Sequence, residues 1–325
     1  MAGLATRCGG GCANACWAST ARRCSRRKRP SGRPDWRCGL CVVRRCDVVD
    51  QLSGVRALAG VYQAILIDQF GVLHDGKTAL PGAREAVLGL RDQGARLAVI
   101  SNSGKRAAVN QERLRALGFE EALFDGVMTS GELARQFFTD WLREGRLEGG
   151  TGVHFVSADD DRAVIAGLPL TEVERAADSG LLLIAGAGAS TTDNPEIETA
   201  LRAHADQGTP CVCINPDVRM YVDGCIVPGP GAVAERYAEL GGRVIWIGKP
   251  DPSIFQAARE TLGVPAEART LVIGDSPYHD VAGAQRAGYD WLFVSGGIYA
   301  DETAPAALEA DLGKSRGYAI ERLVW

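Results

Sequence analysis

The sequence predicts an α/β protein: a doubly wound parallel sheet with a second, smaller α/β domain inserted into it. Two observations carry this. From Val61 onward, short apolar runs alternate with longer segments of helical period, the pattern of a parallel sheet covered by helices on both faces. Four of the runs also end in a polar or Gly-polar step, and their spacing along the chain is uneven.

The four runs are Ala64 to Ile67, Leu97 to Ile100, Val244 to Ile247 and Leu271 to Ile273, followed by Asp68, Ser101, Gly248-Lys249 and Gly274-Asp275. Ligands of an open α/β sheet bind beyond the carboxyl ends of its strands, so these side chains are expected to converge. One such residue would ordinarily be a turn former; four together point to a site. Asp68 to Ser101 is 33 residues and Lys249 to Asp275 is 26, each the length of one β-α step, whereas Ser101 to Lys249 is 148. The excess contains Val153 to Val156, Leu181 to Ile184, Cys211 to Ile214 and a helical stretch from Pro195 to Gln207 opened by Asp193-Asn194-Pro195-Glu196. The predicted organisation is therefore an extension over 1–54, core over 55–132, an α/β cap over 133–214 and core again over 215–325, with Asn215-Pro216-Asp217 as the return.

Charge divides the chain of 325 residues in the same way. Its net charge of −4 conceals a tail, residues 1–46, with 11 Lys and Arg against one acid, Asp35, leaving 25 bases and 39 acids for the rest. Seven of the ten cysteines lie in that tail, and its only Leu, Ile, Val or Phe residues are Leu4, Leu40, Val42 and Val43. So little apolar surface cannot offset the entropy of ordering, and the tail is expected to be disordered. Cys38 and Cys41 have zinc-ligand spacing without a matching second pair, and the Arg-rich start resembles an organelle address. Read-through of a leader upstream of the true start is the favoured reading. The acidic remainder argues against nucleic-acid and membrane partners, and the absence of an 18-residue apolar run argues against a membrane span.

The segments ILIDQFGVLHDG (Ile65 to Gly76), VISNSGKR (Val99 to Arg106), IGKPDPSIF (Ile247 to Phe255) and VIGDSPYHDVAGAQRAG (Val272 to Gly288) resemble, in order, the four motifs of the haloacid dehalogenase superfamily. The position of the cap, with Asn215-Pro216-Asp217 and Pro228-Gly229, is similar to class IIA, the NagD-like phosphatases. The resemblance implies a Rossmann-like core and a Mg²⁺-dependent phosphatase of small phosphorylated metabolites such as sugar phosphates, nucleotides, or aryl or acyl phosphates. Asp68 would be the nucleophile, forming an aspartyl-phosphate. Mg²⁺ would be held by Asp68, the main-chain carbonyl of Phe70, Asp275 and Asp280, although Asp280 reads equally as a helix N-cap. Ser101 with the backbone N–H groups of Asn102 and Ser103 would hold phosphoryl oxygens, and Lys249 would keep Asp68 ionised and stabilise phosphate charge. A homodimer through the cap and a cytoplasmic location, or an organelle if the tail is retained, follow by analogy alone.

One position departs from the pattern. Two residues beyond the nucleophile, phosphatases of the superfamily carry a second Asp that protonates the leaving group, and here stands Phe70. Three readings follow: a phosphatase in which His74 or Asp75 replaces the acid or whose leaving group needs none, a phosphometabolite- or partner-binding protein without turnover, and a 2-haloacid dehalogenase. The dehalogenases resemble Asp68-Gln69-Phe70-Gly71 in carrying an aromatic residue there, but Asp275 and Asp280 keep a cation-binding pattern that a haloacid does not need. His154, His204 and His279 read as isolated histidines, only the last near the site. Cys211, Cys213 and Cys225 read as buried thiols, and Asp159-Asp160-Asp161 as a solvated loop.

Overall fold

In this computed structural model the described residues are 49–157, 161–186, 194–222, 225–300 and 315–325. Residues 47–325 form one compact unit. The expectations for residues 1–48, including disorder and the Cys38 and Cys41 pair, lie outside the described residues.

The chain lays down half of a parallel sheet, leaves it and returns. The first half comprises β1 (Asp50–Gln51), β2 (Ala64–Asp68), β3 (Arg96–Ser101) and β4 (Gly126–Thr129). Helix α1 (Ala83–Asp92) follows β2 and α2 (Ala107–Ala116) follows β3. Every residue of β2 is buried, as a central strand covered on both faces requires. Its side chains alternate: Ile65 and Ile67 join Leu97 and Val99 in one apolar cluster with Ala83, Val87 and Leu90 of α1, whereas Ala64 and Leu66 belong to the cluster on the other face. Helix α3 (Ser130–Arg143) adds Leu133, Ala134 and Phe138 to that second cluster, its first turn capped by the Thr129 hydroxyl accepting from the Glu132 N–H.

A second parallel sheet follows, from β5 (Gly152–Val156), β6 (Thr171–Val173), β7 (Leu181–Ile184) and β8 (Cys211–Cys213). Helix α4 (Pro195–Gln207) starts at the expected place, with Asn194 as N-cap and Pro195 in the first turn. The antiparallel hairpin β9 (Arg219–Val222) and β10 (Cys225–Pro228) leads into α5 (Pro230–Glu239) and β11 (Val244–Trp246).

Here the expectation from sequence is corrected. The Val244 run is not a strand of the main sheet: β11 pairs in parallel with β8, and the second sheet has the order β11-β8-β7-β5-β6. The reason is visible in burial. No residue of β11 is fully buried and Trp246 is 39% exposed, which suits an edge strand and not a central one. The second sheet therefore runs past Ile214, where the cap was expected to end, to Trp246. The boundary at 54 shifts too, because β1 is paired with the far end of the chain.

The return is α6 (Pro252–Glu260), capped by Asp251, then β12 (Thr270–Gly274), α7 (Ala282–Ala287), β13 (Asp290–Val294) and β14 (Gly317–Ile320). The seven-stranded sheet is parallel throughout, in the order β1-β14-β13-β12-β2-β3-β4. From the central pair the chain proceeds outward through β2, β3 and β4 on one side and through β12 and β13 on the other. The boundary between β2 and β12 is the topological switch point, where a crevice is expected. One apolar cluster continues from the inner face of this sheet (Leu66, Ile100, Val272) to the second sheet (Val153, Leu183, Val212). Among the described residues no helix is long and apolar enough to cross a membrane.

Candidate active site

Asp68 ends β2 and Asp275 follows β12, so the two carboxylates emerge side by side at the switch point. Asp280 is brought to them by a single wide turn over Pro277–Val281. Ser276 caps that turn by accepting from the His279 N–H, and Asp280 instead accepts from the Ser276 N–H. The N-cap role weighed for Asp280 thus falls to Ser276. Oxygens of Asp68, Asp275 and Asp280 all lie within 4.8 Å of one another, and all three residues are buried. The packing leaves no room for side chains around them: a Cβ on Gly71, whose φ is +78°, would lie 2.0 Å from an Asp275 oxygen, and one on Gly274 would lie 2.1 Å from the Asp280 carboxyl carbon.

Lys249 supplies the counter-charge. Its Nζ donates to Asp68 Oδ1 at 2.7 Å and to Asp280 Oδ1 at 2.8 Å, with the residue 3% exposed. Burial disfavours the ammonium, but the Asp280 and Asp68 charges outweigh it and hold the lysine above its ordinary value. Burial also raises Asp68, to about 7, against the opposing pull of Lys249. Asp275 is pushed well up by burial, then by its neighbours Asp68 and Asp280. Three buried carboxylates against one ammonium leave negative charge uncompensated, and hard oxygen donors in such a cluster fit a divalent cation of the Mg²⁺ type.

Asn102 fixes Lys249. Its Oδ1 accepts from the Lys249 N–H at 2.6 Å, and its Nδ2 donates to the Lys249 carbonyl at 3.2 Å and to Asp217 Oδ1 at 2.8 Å. The Asn102 side chain is thus structural, which sequence reading, concerned with its backbone N–H, did not foresee. Ser101 Oγ accepts from the Ser103 N–H at 3.2 Å, forming a small turn after β3.

Asp68, Phe70, Ser101, Asn102, Lys249, Asp275 and Asp280 line one cavity of about 50 Å³. It adjoins a cleft of about 300 Å³ that includes Ser103 and shares Phe70 and Ser101. Neither substitute acid reaches the small cavity. His74 is wholly buried with its Nδ1 accepting from the Gly76 N–H, its ring 4.5 Å from that of Phe70, and it lines neither space. Burial and then Arg113 lower it to about 4, so it is neutral near pH 7. Asp75 stands at the edge of the larger cleft, its carboxylate occupied by the N–H groups of Thr78 and Lys77, which hold it below the usual carboxylate range. A group that stays ionised is a poor proton donor. Neither side chain is therefore placed in this structure to reach a leaving group in the small cavity.

Around the site, His279 and Asp217 come from segments already singled out in the sequence, whereas Arg219, Ile298 and Tyr299 had no motif to announce them. His279 Nδ1 lies 3.1 Å from Asp217 Oδ1, and both line the small cavity with Arg219, Ile298 and Tyr299. The Ile298 N–H donates to Asp275 Oδ2 at 2.5 Å. Elsewhere, two histidines read as isolated are in contact: His154 Nδ1 and His204 Nε2 are 2.8 Å apart. Cys211 and Cys213 are buried free thiols, as expected, whereas Cys225 lies outside what is described of side chains. Asp161 is 3% exposed and accepts from the Ser157 hydroxyl, so this end of the acidic run is not a solvated loop; Asp159 and Asp160 lie outside the described residues.

A nucleophile-type aspartate at a switch point, a lysine bridging it to a second carboxylate, and an inserted α/β sheet define a capped hydrolase, and comparison agrees. The chain belongs to the haloacid dehalogenase-like hydrolase family. Family models described as haloacid dehalogenase-like hydrolase and HAD-hydrolase-like match residues 65–167 and 246–313. It is 32% identical over 255 residues to haloacid dehalogenase-like hydrolase domain-containing protein 2 of Rattus norvegicus, covering 74% of this chain and 88% of that one. Chronophin of Mus musculus is 28% identical over 284 residues, covering 79% and 89%. The crystal structure of a haloacid dehalogenase-like hydrolase from Brucella suis superposes with a TM-score of 0.71 at 26% identity, covering 84% of this chain and all of that one.

Proposed function

We propose that this chain is a Mg²⁺-dependent phosphatase of small phosphorylated metabolites that works through an aspartyl-phosphate on Asp68. The observation that carries the reading is the convergence of Asp68, Asp275 and Asp280 within 4.8 Å, with Lys249 bonded to Asp68. Attack of a carboxylate on a phosphate dianion is opposed by like charge, so the reaction needs concentrated positive charge at the transferring group. Asp68, Asp275, Asp280 and the Phe70 carbonyl would hold Mg²⁺, which supplies that charge when bound and screens the attacking carboxylate from the phosphoryl group.

The remaining steps belong to the chain itself. Asp68 Oδ attacks phosphorus as the P–O bond to the leaving group breaks, and water later releases phosphate. The Ser101 hydroxyl and the Asn102 N–H, in the turn after β3, receive the phosphoryl oxygens, while the Ser103 N–H donates to Ser101 Oγ. Lys249 draws Asp68 toward its ionised form against the effect of burial, and aims it. No acid faces the leaving oxygen from position 70, so leaving groups stable as anions, aryl or acyl, should be favoured. The buried three-carboxylate cluster also weighs against dehalogenation, in which a neutral carbon is attacked and no cation is needed.

Phosphate release from an aryl phosphate and from an alkyl phosphate, each with Mg²⁺ and with EDTA, tests the reading. Metal-dependent release with strong preference for the aryl ester is expected. Activity indifferent to EDTA, or no hydrolysis of any ester by protein that binds inorganic phosphate, would overturn it.

A further inference from the structure

The larger cleft has a charge that the protein around it does not share. Residues 47–325 hold 25 bases and 39 acids, yet Lys77, Lys105, Arg113 and Arg219 all line this space. Its three acids are engaged. Asp75 accepts from the Lys77 and Thr78 N–H groups, Asp217 from Asn102, and Asp161 from the Ser157 hydroxyl. Lys77, Lys105 and Arg219 have partners of their own within the protein.

Arg113 is placed differently. Its guanidinium carbon lies 5.6 Å from the centroid of the Phe70 ring, and it has no ion pair among the described residues. A guanidinium laid against an aromatic ring is held in position by that ring while its planar edge keeps N–H donors free for an oxyanion. Phe70 also lines the cavity of the Asp68 nucleophile, so the cation is carried by the wall against which a leaving group would rest. The cleft, about 300 Å³, is the size of a small-metabolite site.

We propose that this cleft selects phosphate monoesters whose leaving group bears a second oxyanion, with Arg113, held over Phe70, as the specificity-determining residue. The inference rests on the phosphatase reading above and narrows its substrate class. It also gives position 70 a use: a ring there carries a cation that a carboxylate at the same place would draw into an ion pair.

Three esters that differ at one end test it: glycerol 3-phosphate with a hydroxyl, 3-phosphoglycerate with a carboxylate, and glycerol 1,3-bisphosphate with a phosphoryl group. The two members with a second oxyanion are expected to show kcat/KM at least about tenfold above that of glycerol 3-phosphate. Whichever of them gains more names the source of the oxyanion. Arg113→Gln should shrink that ratio about tenfold through KM, and Arg113→Lys should restore part of it. A ratio near one in the unaltered protein, or an Arg113→Gln change that lowers all three esters equally, overturns the proposal. Calorimetric binding of the same esters to Asp68→Asn separates the two readings. Preferential binding of the esters with a second oxyanion that is lost in the Asp68→Asn, Arg113→Gln double variant supports the oxyanion site even if no ester is turned over, and in that case only the phosphatase reading falls. Equal binding of all three esters counts against the oxyanion site whatever is hydrolysed.

Discussion

The Lys249 ammonium donates to the Asp68 carboxylate at 2.7 Å across 181 residues of chain, from a segment that leaves the edge of the second sheet. It is the only basic side chain bonded to the acidic cluster among the described residues. Lys249→Met should therefore leave three buried carboxylates without a counter-charge. We expect kcat to fall about 10²–10³-fold and stability to drop by about 3 kcal/mol, read from the urea midpoint. Full stability with low activity would make the lysine purely catalytic; full activity would remove it from the mechanism.

Asp68→Asn removes the attacking oxygen with little change of shape. Turnover of every ester should disappear while the folded protein persists, and the covalent phosphoryl adduct trapped by rapid acid quench of the unaltered enzyme should be absent. Retained hydrolysis would overturn the nucleophile assignment.

Phe70→Asp places an acid two residues beyond the nucleophile. Alkyl phosphates, whose leaving groups need a proton, should gain at least about tenfold relative to an aryl phosphate. The aryl-to-alkyl ratio of kcat is the measurement, and a ratio unchanged by the substitution would show that the ring is not what limits alkyl esters.

Cation binding should stabilise as well as activate. The three carboxylates of the cluster share the single Lys249 ammonium, an imbalance that is lessened when Mg²⁺ binds, and a ligand at about 100 times its Kd adds about 2.7 kcal/mol. The melting temperature should rise with Mg²⁺ and return with EDTA. Asp275→Asn should abolish the rise while raising the melting temperature in EDTA, because one buried carboxylate has been removed.

The His154 and His204 pair makes the fold sensitive to acid. Burial, with the neighbouring His154, lowers His204 to about 4, and burial lowers His154. In the unfolded chain both take up protons near pH 6.5. A depressed histidine contributes most when neutral, so this share of stability is intact above about pH 6.5 and is lost as pH falls toward 4. The loss should be on the order of 2 kcal/mol, followed as the urea midpoint against pH. His204→Phe should flatten that part of the curve.

Asp68, Ser101 and Asp275 were legible because fully buried parallel strands read as unbroken apolar runs, and the residue that stops such a run marks the strand end. Lys249 was found by the same rule although its strand belongs to the other sheet. Three half-exposed residues, Val244 to Trp246, carry too little pattern to say which sheet they join. The pairing of β1 with β14 was hidden for a related reason, since a two-residue strand has no period. Arg113 could not be read at all. It is one of several polar residues along α2, and only the path of the chain lays it on Phe70. Contact between His154 and His204, 50 residues apart, is likewise a product of the tertiary fold.

Because β11 ends three residues before Lys249, the inserted sheet cannot be exchanged as a cassette cut at Ile214. A chimera joined there would inherit β8 without β11, one of its two hydrogen-bonded neighbours, and would leave the lysine's approach path anchored to a foreign edge. Donor segments taken through Trp246 keep that anchorage intact. In this architecture the inserted sheet and the segment that carries Lys249 are joined through one short strand, so recombination between relatives must respect it.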